Sequence, residues 1–331
     1  MNANHFWIIG ILAGIAGGLM VLAGFDAGNM AIFLLFAAPS AIYVAALGWG
    51  PLAGLIAALV ATAASYYGGS YVAPIVSGTL LFLPAAWAGH LANLARRDTL
   101  SANGGETTVW FPLSGILLRL MLALVVGFIV SGWAIGFSGE RVAAIFTQVM
   151  GEAFKSNPDT AMPGPDDLKN RAAIYAALIP IVIPAIWLML HVLVMHLSAM
   201  IVRQSGRLAR PAEDIAATAN LPVEALALPV AGITGMVLFA GPAYEIAAVA
   251  AGIGTAGFGL IGLAELHYVS RGRPGRGVML FVSYLVLILF SFPLLVFAGI
   301  GVRRAIKRRN RMPPTPPARR PPDRTHPTTL H

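Results

Sequence analysis

Runs of apolar residues separated by short polar breaks fill the chain from position 6 to position 301. They fall at about 6–24, 30–49, 51–68, 73–95, 112–136, 173–202, 224–241, 243–269 and 277–301. A helix needs about 20 apolar residues to cross a hydrocarbon core about 30 Å thick, so each run predicts one transmembrane helix. The strands of a membrane barrel would alternate apolar and polar over about ten residues, and these runs do not. Gly50-Pro51 and Gly241-Pro242 split two longer stretches into hairpins, because Gly ends one helix and Pro suits the first turn of the next. The runs at 51–68 and 224–241 are the shortest. The pattern therefore predicts an all-α polytopic bundle of eight or nine spans over residues 1–301.

One polar insert, 138–172, interrupts this pattern. Within it Val142, Ile145, Phe146, Val149, Met150 and Phe154 recur at helical spacing, with Arg141, Gln148, Glu152 and Lys155 on the other face. That spacing predicts an amphipathic interfacial helix, followed by a Pro-rich loop over 156–167. Residues 302–331 are basic and Pro-rich, which predicts a disordered tail.

Composition tells what the solvent is. Of 331 residues 57% are hydrophobic and 11% charged, against roughly 25% charged in soluble domains. Lipid must then face most of the surface. The net charge of +8 is concentrated in loops and tail, with nine of the 22 Lys and Arg after position 300. That placement fits membrane orientation and not nucleic-acid binding. Arg96 and Arg97, Arg203, Arg207 and Arg210, and Arg271, Arg273 and Arg276 fall in alternate loops, hence on one face. Positive loops stay inside, so the N-terminus is expected to be cytoplasmic in a bacterial inner (plasma) membrane. A full ninth span would put Arg303 to Arg311 on the opposite face. Ser291-Phe292-Pro293 interrupts that last run, so a bent or re-entrant final helix is the alternative. Trp7, Trp49 and Trp110 read as one interfacial belt and Tyr66, Tyr67, Tyr71 and Trp133 as the other.

Ionisable groups inside spans are the default functional candidates. They are His90, Arg119, His191, His196, Glu245, Glu265 and His267, with Asp26 just past the first span. Counted from the loop arginines, His90, Arg119, His196 and Glu265 lie at similar depth. With His267 they form the candidate intramembrane polar cluster, and Arg119–Glu265 is its most economical ion pair. Interfacial anchoring of the same side chains is the competing reading. His191 and His196, five apart, do not share a helix face, and no metal motif is present. Neither Walker-type loop nor nucleophile–base arrangement occurs, and Cys is absent. No enzyme and no cofactor are expected. Gly10, Gly14 and Gly18, and Ala248, Gly252 and Ala256, form small-residue stripes suited to internal packing or to docking a partner protein.

Several blocks, in order, carry a resemblance: Ala45-Ala46-Leu47-Gly48-Trp49-Gly50, Leu83-Pro84-Ala85-Ala86-Trp87-Ala88-Gly89-His90-Leu91, Ile201-Val202-Arg203-Gln204-Ser205-Gly206-Arg207-Leu208, and Gly262-Leu263-Ala264-Glu265-Leu266-His267. Together they resemble the YybS-like family of bacterial membrane proteins, in particular its α-proteobacterial branch. Gly301-Val302-Arg303-Arg304 departs from the acidic, Phe-containing end of that family's last span. The family has no established activity. Its hydropathy is similar to that of substrate-binding membrane components of energy-coupling-factor transporters. The resemblance implies a small-solute-binding transport component without its own ATPase, alongside another membrane subunit. The alternative is a scaffold acting through helix–helix contacts.

Overall fold

The computed structural model describes residues 5–26, 32–68, 70–98, 107–156, 164–290 and 292–310. Among them, seven helices are long and apolar enough to cross a membrane: Phe6–Gly24, Ile32–Trp49, Pro51–Gly68, Val72–Ala92, Leu113–Ile135, Asp166–Gln204 and Pro242–Val269. Val223–Leu238 and Arg276–Leu289 are apolar but shorter. The chain is an all-α polytopic bundle, as its periodicity predicts.

The first span is α1 (Phe6–Asp26). The second is α2 (Ile32–Ala37) and α3 (Pro39–Trp49), joined at Ala38. Gly50 then adopts φ 96°, open to Gly, and Pro51 starts α4 (Pro51–Ala64) without needing an N–H partner. The fourth span comprises α5 (Val72–Ser77), a π-helical turn at Gly78–Phe82, and α6 (Leu83–Ala92). A short antiparallel hairpin, β1 (Ala95–Asp98) with β2 (Thr107–Trp110), leads to α7 (Leu113–Ile135). The insert forms α8 (Gly139–Ser156), whose Phe146 ring stacks on Tyr175 at 4.5 Å. Next, α9 runs from Pro165 to Gln204, so the expected loop ends earlier than the Pro spacing suggests. A one-turn helix α10 (Ile215–Thr218) and a 3-10 turn (Val223–Leu226) precede α11 (Ala227–Leu238) and α12 (Pro242–Val269).

The last apolar run does not cross as one helix. It breaks at Phe292-Pro293 into α13 (Arg276–Leu289) and α14 (Pro293–Arg309). Leu294 lies against Gly259, Phe297 against Gly262 and Arg304 against Glu265, so α14 runs parallel to α12. The re-entrant alternative thus holds, and Arg304 and Arg308 return to the end of the bundle that carries Arg271. This also corrects the boundary drawn for the tail, because 302–309 are helical; 311–331 lie outside the described residues.

α11 runs antiparallel to α12, with Pro229 against Gly254 and Gly232 against Ala247 and Ala251. Both α11 and α14 therefore begin about halfway along α12, one packing its first half and the other its second. The 28-residue α12 is the axis of the molecule, with Ala248, Ile253 and Ala256 at 0% exposure.

Both predicted small-residue stripes are filled by this chain's own helices. Gly10 meets Ala53 and Ile56, Gly14 meets Ala57 and Val60, and Gly18 meets Ala61 and Ala64, so α1 and α4 pack in parallel. Gly252 meets the Ile181 carbonyl of α9, beside buried Ala248 and Ala256. These six residues make internal contacts, the packing one of the two readings their spacing allowed.

Candidate functional site

Residues 206–226 enter the bundle from one end with little regular structure. Backbone groups that leave a helix ladder inside a membrane protein need other partners, and here arginines supply them. Asp214 caps α10, its carboxylate accepting from the Ala217 N–H at 3.2 Å. The same carboxylate takes both terminal nitrogens of Arg271 at 2.5 Å each, a two-pronged pair that links the segment to the end of α12. At the other end of α10, Arg304 donates to the Ala216 and Ala217 carbonyls at 2.9 and 2.8 Å. Arg308 donates to the Ala217 and Thr218 carbonyls. Arg304 also bonds Glu265 at 2.6 Å and is 8% exposed. Arg210 pairs with Glu213 at 2.6 Å and donates to the carbonyl of Phe111 at 2.9 Å.

Below these latches Leu221 is fully buried, and its side chain and that of Met121 both lie against Gly257. The segment is thus a plug in the end of the bundle, held by its own Arg210, by Arg271 just past the end of α12, and by Arg304 and Arg308 of α14. The Arg271 hydrogen bonds hold the Asp214 carboxyl down at about 2, and the same bonds raise the Arg271 guanidinium. Arg207 lies over the Trp49 ring at 4.5 Å, so the ends of α3, α9, α12 and α14 all converge here.

The predicted polar cluster does not assemble. Arg119 is exposed and lies over the Phe111 ring at 4.7 Å. His196 is exposed on α9. His90 is half-buried beside Trp87, with ring centroids 6.0 Å apart. His267 bonds the Tyr284 hydroxyl at 2.8 Å. Glu265 alone enters the latch, and its partner is Arg304 in place of Arg119. The depth estimate ranked these residues along the helices but carried no information on which way each faced. Glu245 accepts from the Gly139 N–H at 2.7 Å and so caps α8. Asp26 ends α1, its side chain outside the described residues.

A second polar unit lies deep in the bundle. His191, 2% exposed, places Nδ1 3.1 Å from the Tyr43 hydroxyl and Nε2 2.7 Å from the Leu80 carbonyl. A carbonyl only accepts, so Nε2 carries the proton and Nδ1 accepts from Tyr43. Trp187 donates to the same carbonyl at 2.9 Å. The cause is local sequence: Pro84 lies four residues after Leu80 and has no N–H to close that α-helical bond. Every polar atom of this unit is satisfied, so it ties α3, the π-turn and α9 together.

Sequence reasoning missed the latch because it read the 203–210 and 271–276 arginines only as orientation signals. Glu213 and Asp214, two acids in an otherwise basic loop, were the available signal, together with Asp preceding Ile-Ala-Ala-Thr as an N-cap. For His191 the signal was Pro84 within an apolar run.

No protein-family model, curated protein or solved structure matches the chain. The fold and this site define a multi-pass α-helical membrane protein whose irregular segment 206–226 is latched at the basic end of the bundle.

Proposed function

We propose that this chain is a non-enzymatic transport component, oriented with its basic end in the cytoplasm of the bacterial inner membrane, in which residues 206–226 form an inner gate. One observation carries the reading: α11 and α14 both start halfway along α12, and the chain between α10 and α11 reaches that level without continuous helix. Irregular backbone at membrane depth is tolerated where it is buried in protein or lines a pathway, and broken helices packed on small residues are a recurring transporter device. Charge pairs at the mouth give a closure that is broken by hydration and not by unpacking a core. In this reading α8, standing on α9 at the opposite end, is a lid. The resemblance to YybS-like proteins, and through them to energy-coupling-factor components, supports the same class and suggests a separate energising subunit.

The absence of Cys makes the natural chain a ready background for accessibility measurements. Leu221→Cys in membrane vesicles is expected to resist a membrane-impermeant thiol reagent, and to label readily once Asp214→Asn and Arg271→Gln open the latch. Equal labelling with and without the latch, together with no small molecule retained in native mass spectrometry, overturns the reading.

The scaffold reading is favoured by a different observation: α13 has no buried residue, and Val278, Phe281, Ile288 and Leu289 are exposed. Co-purification of a second membrane protein, lost on replacing Phe281 and Ile288 by Ala, supports it over transport.

A further inference from the structure

α14 has two unlike faces. Ala298, Gly301, Arg304 and Ala305 are buried against α12 and the plug. On the other side Gly299, Val302, Arg303, Ile306, Lys307 and Asn310 line an open groove. Apolar and cationic positions alternate along it: Val302 adjoins Arg303 and Ile306 adjoins Lys307, with Gly299 toward the re-entrant tip and Asn310 at the basic end. Arg303 and Lys307 are four residues apart, hence on one face, and both are exposed. Gly299 leaves open space where a side chain would stand.

We propose that this groove binds one anionic phospholipid, its phosphate between Arg303 and Lys307 and its acyl chain along Val302 toward Gly299. Gly299 and Val302 lie on the tip side of both cations, so a lipid entering from the bilayer would bring its headgroup to Arg303 and Lys307 at the basic end. Charge complementarity narrows the occupant further. Glu213, Asp214 and Glu265 are committed to Arg210, Arg271 and Arg304, so none of these three carboxylates serves Arg303 or Lys307. The chain's own C-terminal segment carries Arg311, Arg319, Arg320 and Arg324 against a single acid, Asp323, and repels the groove. Basic residues next to a membrane draw anionic lipids at roughly fivefold in affinity per charge, so two should give a preference on the order of tenfold or more. The site is independent of the transport reading.

The test is native mass spectrometry of the full chain in detergent, titrated separately with phosphatidylglycerol and phosphatidylcholine. One phosphatidylglycerol adduct per chain is expected, retained about tenfold better than phosphatidylcholine. Arg303→Gln with Lys307→Gln should abolish that preference while elution profile and thermal midpoint stay unchanged. Arg303→Lys with Lys307→Arg, which keeps both charges, should retain it. Equal retention of the two lipids, or an undiminished preference in the double Gln variant, overturns the proposal. Displacement of the lipid by an oligonucleotide at equal concentration also overturns it, because the groove then reads phosphate without regard to the acyl chain.

Discussion

The α1–α4 interface and the plug at 206–226 are both buried in the same bundle, yet they are held in opposite ways. α1 and α4 satisfy their backbones internally, so what remains is shape: Gly10, Gly14 and Gly18 let the helices touch, where an added Cβ would come within 2.9, 2.6 and 2.5 Å of a neighbour. The plug has left the helical ladder, so shape is not enough, and guanidinium groups take up the carbonyls of Ala216, Ala217 and Thr218. In lipid, regular helices need small residues between them, whereas irregular backbone needs donors aimed at it. The latch therefore concentrates charge where secondary structure fails.

The sharpest way to break this comparison is to overfill a helix contact. Gly252→Leu places a side chain into the Ile181 carbonyl and is expected to abolish monodisperse protein on size exclusion. Gly299→Leu, which meets open space, should leave the elution unchanged. Equal behaviour of the two variants would mean that close approach is not what holds the helices.

Removing a latch should have the next largest effect. Arg304→Met leaves Glu265 without its guanidinium and the Ala216 carbonyl without this donor, while Arg308 still serves Ala217, and a loss of about 3 kcal/mol is expected from a buried pair broken on one side. It should appear in hydrogen exchange as exposure of 206–226 with α1 and α4 still protected. Uniform exposure of the whole chain would show that the plug is not a separate unit. His191→Phe, which strands the Tyr43 hydroxyl and removes one of two donors to Leu80, should lower the thermal stability by about 1–3 kcal/mol without exposing the plug.

The smallest effect concerns pH. The Asp214 carboxyl is held at about 2, below its ordinary value of 3.8, so its pairing with Arg271 contributes fully above pH 3.8 and is lost as pH falls toward 2. Intrinsic-rate-corrected exchange in 206–226 should therefore rise between pH 4 and pH 2 in the natural chain. That rise should be smaller in Asp214→Asn, where the charge pair is absent at both values.

Much of this architecture is legible along the chain. Gly50-Pro51 and Gly241-Pro242 turn where their chemistry requires, and Phe292-Pro293 breaks the last run as its Pro predicts. The candidate cluster fared differently. His90, Arg119, His196, Glu265 and His267 were placed by depth, and only Glu265 lies in the latch, because depth along a helix is one coordinate and direction around it is another. The direction depends on which helix packs alongside. Arg304 reaches Glu265 only because α14 runs parallel to α12, a consequence of the re-entrant path.

By itself the sequence determined that lipid is the solvent, where most of the apolar helices lie and break, and which loops are basic. These follow from local composition and from Pro and Gly, whose effects act within a few residues. The tertiary structure alone decided that Pro84 would call His191 and Trp187 to the Leu80 carbonyl, and that α11 and α14 would share α12. It alone matched each arginine to its acid. The Arg304, Trp187 and His191 bonds join residues 39, 107 and 111 positions apart, and only the packing of helices against one another brings such groups within hydrogen-bond reach.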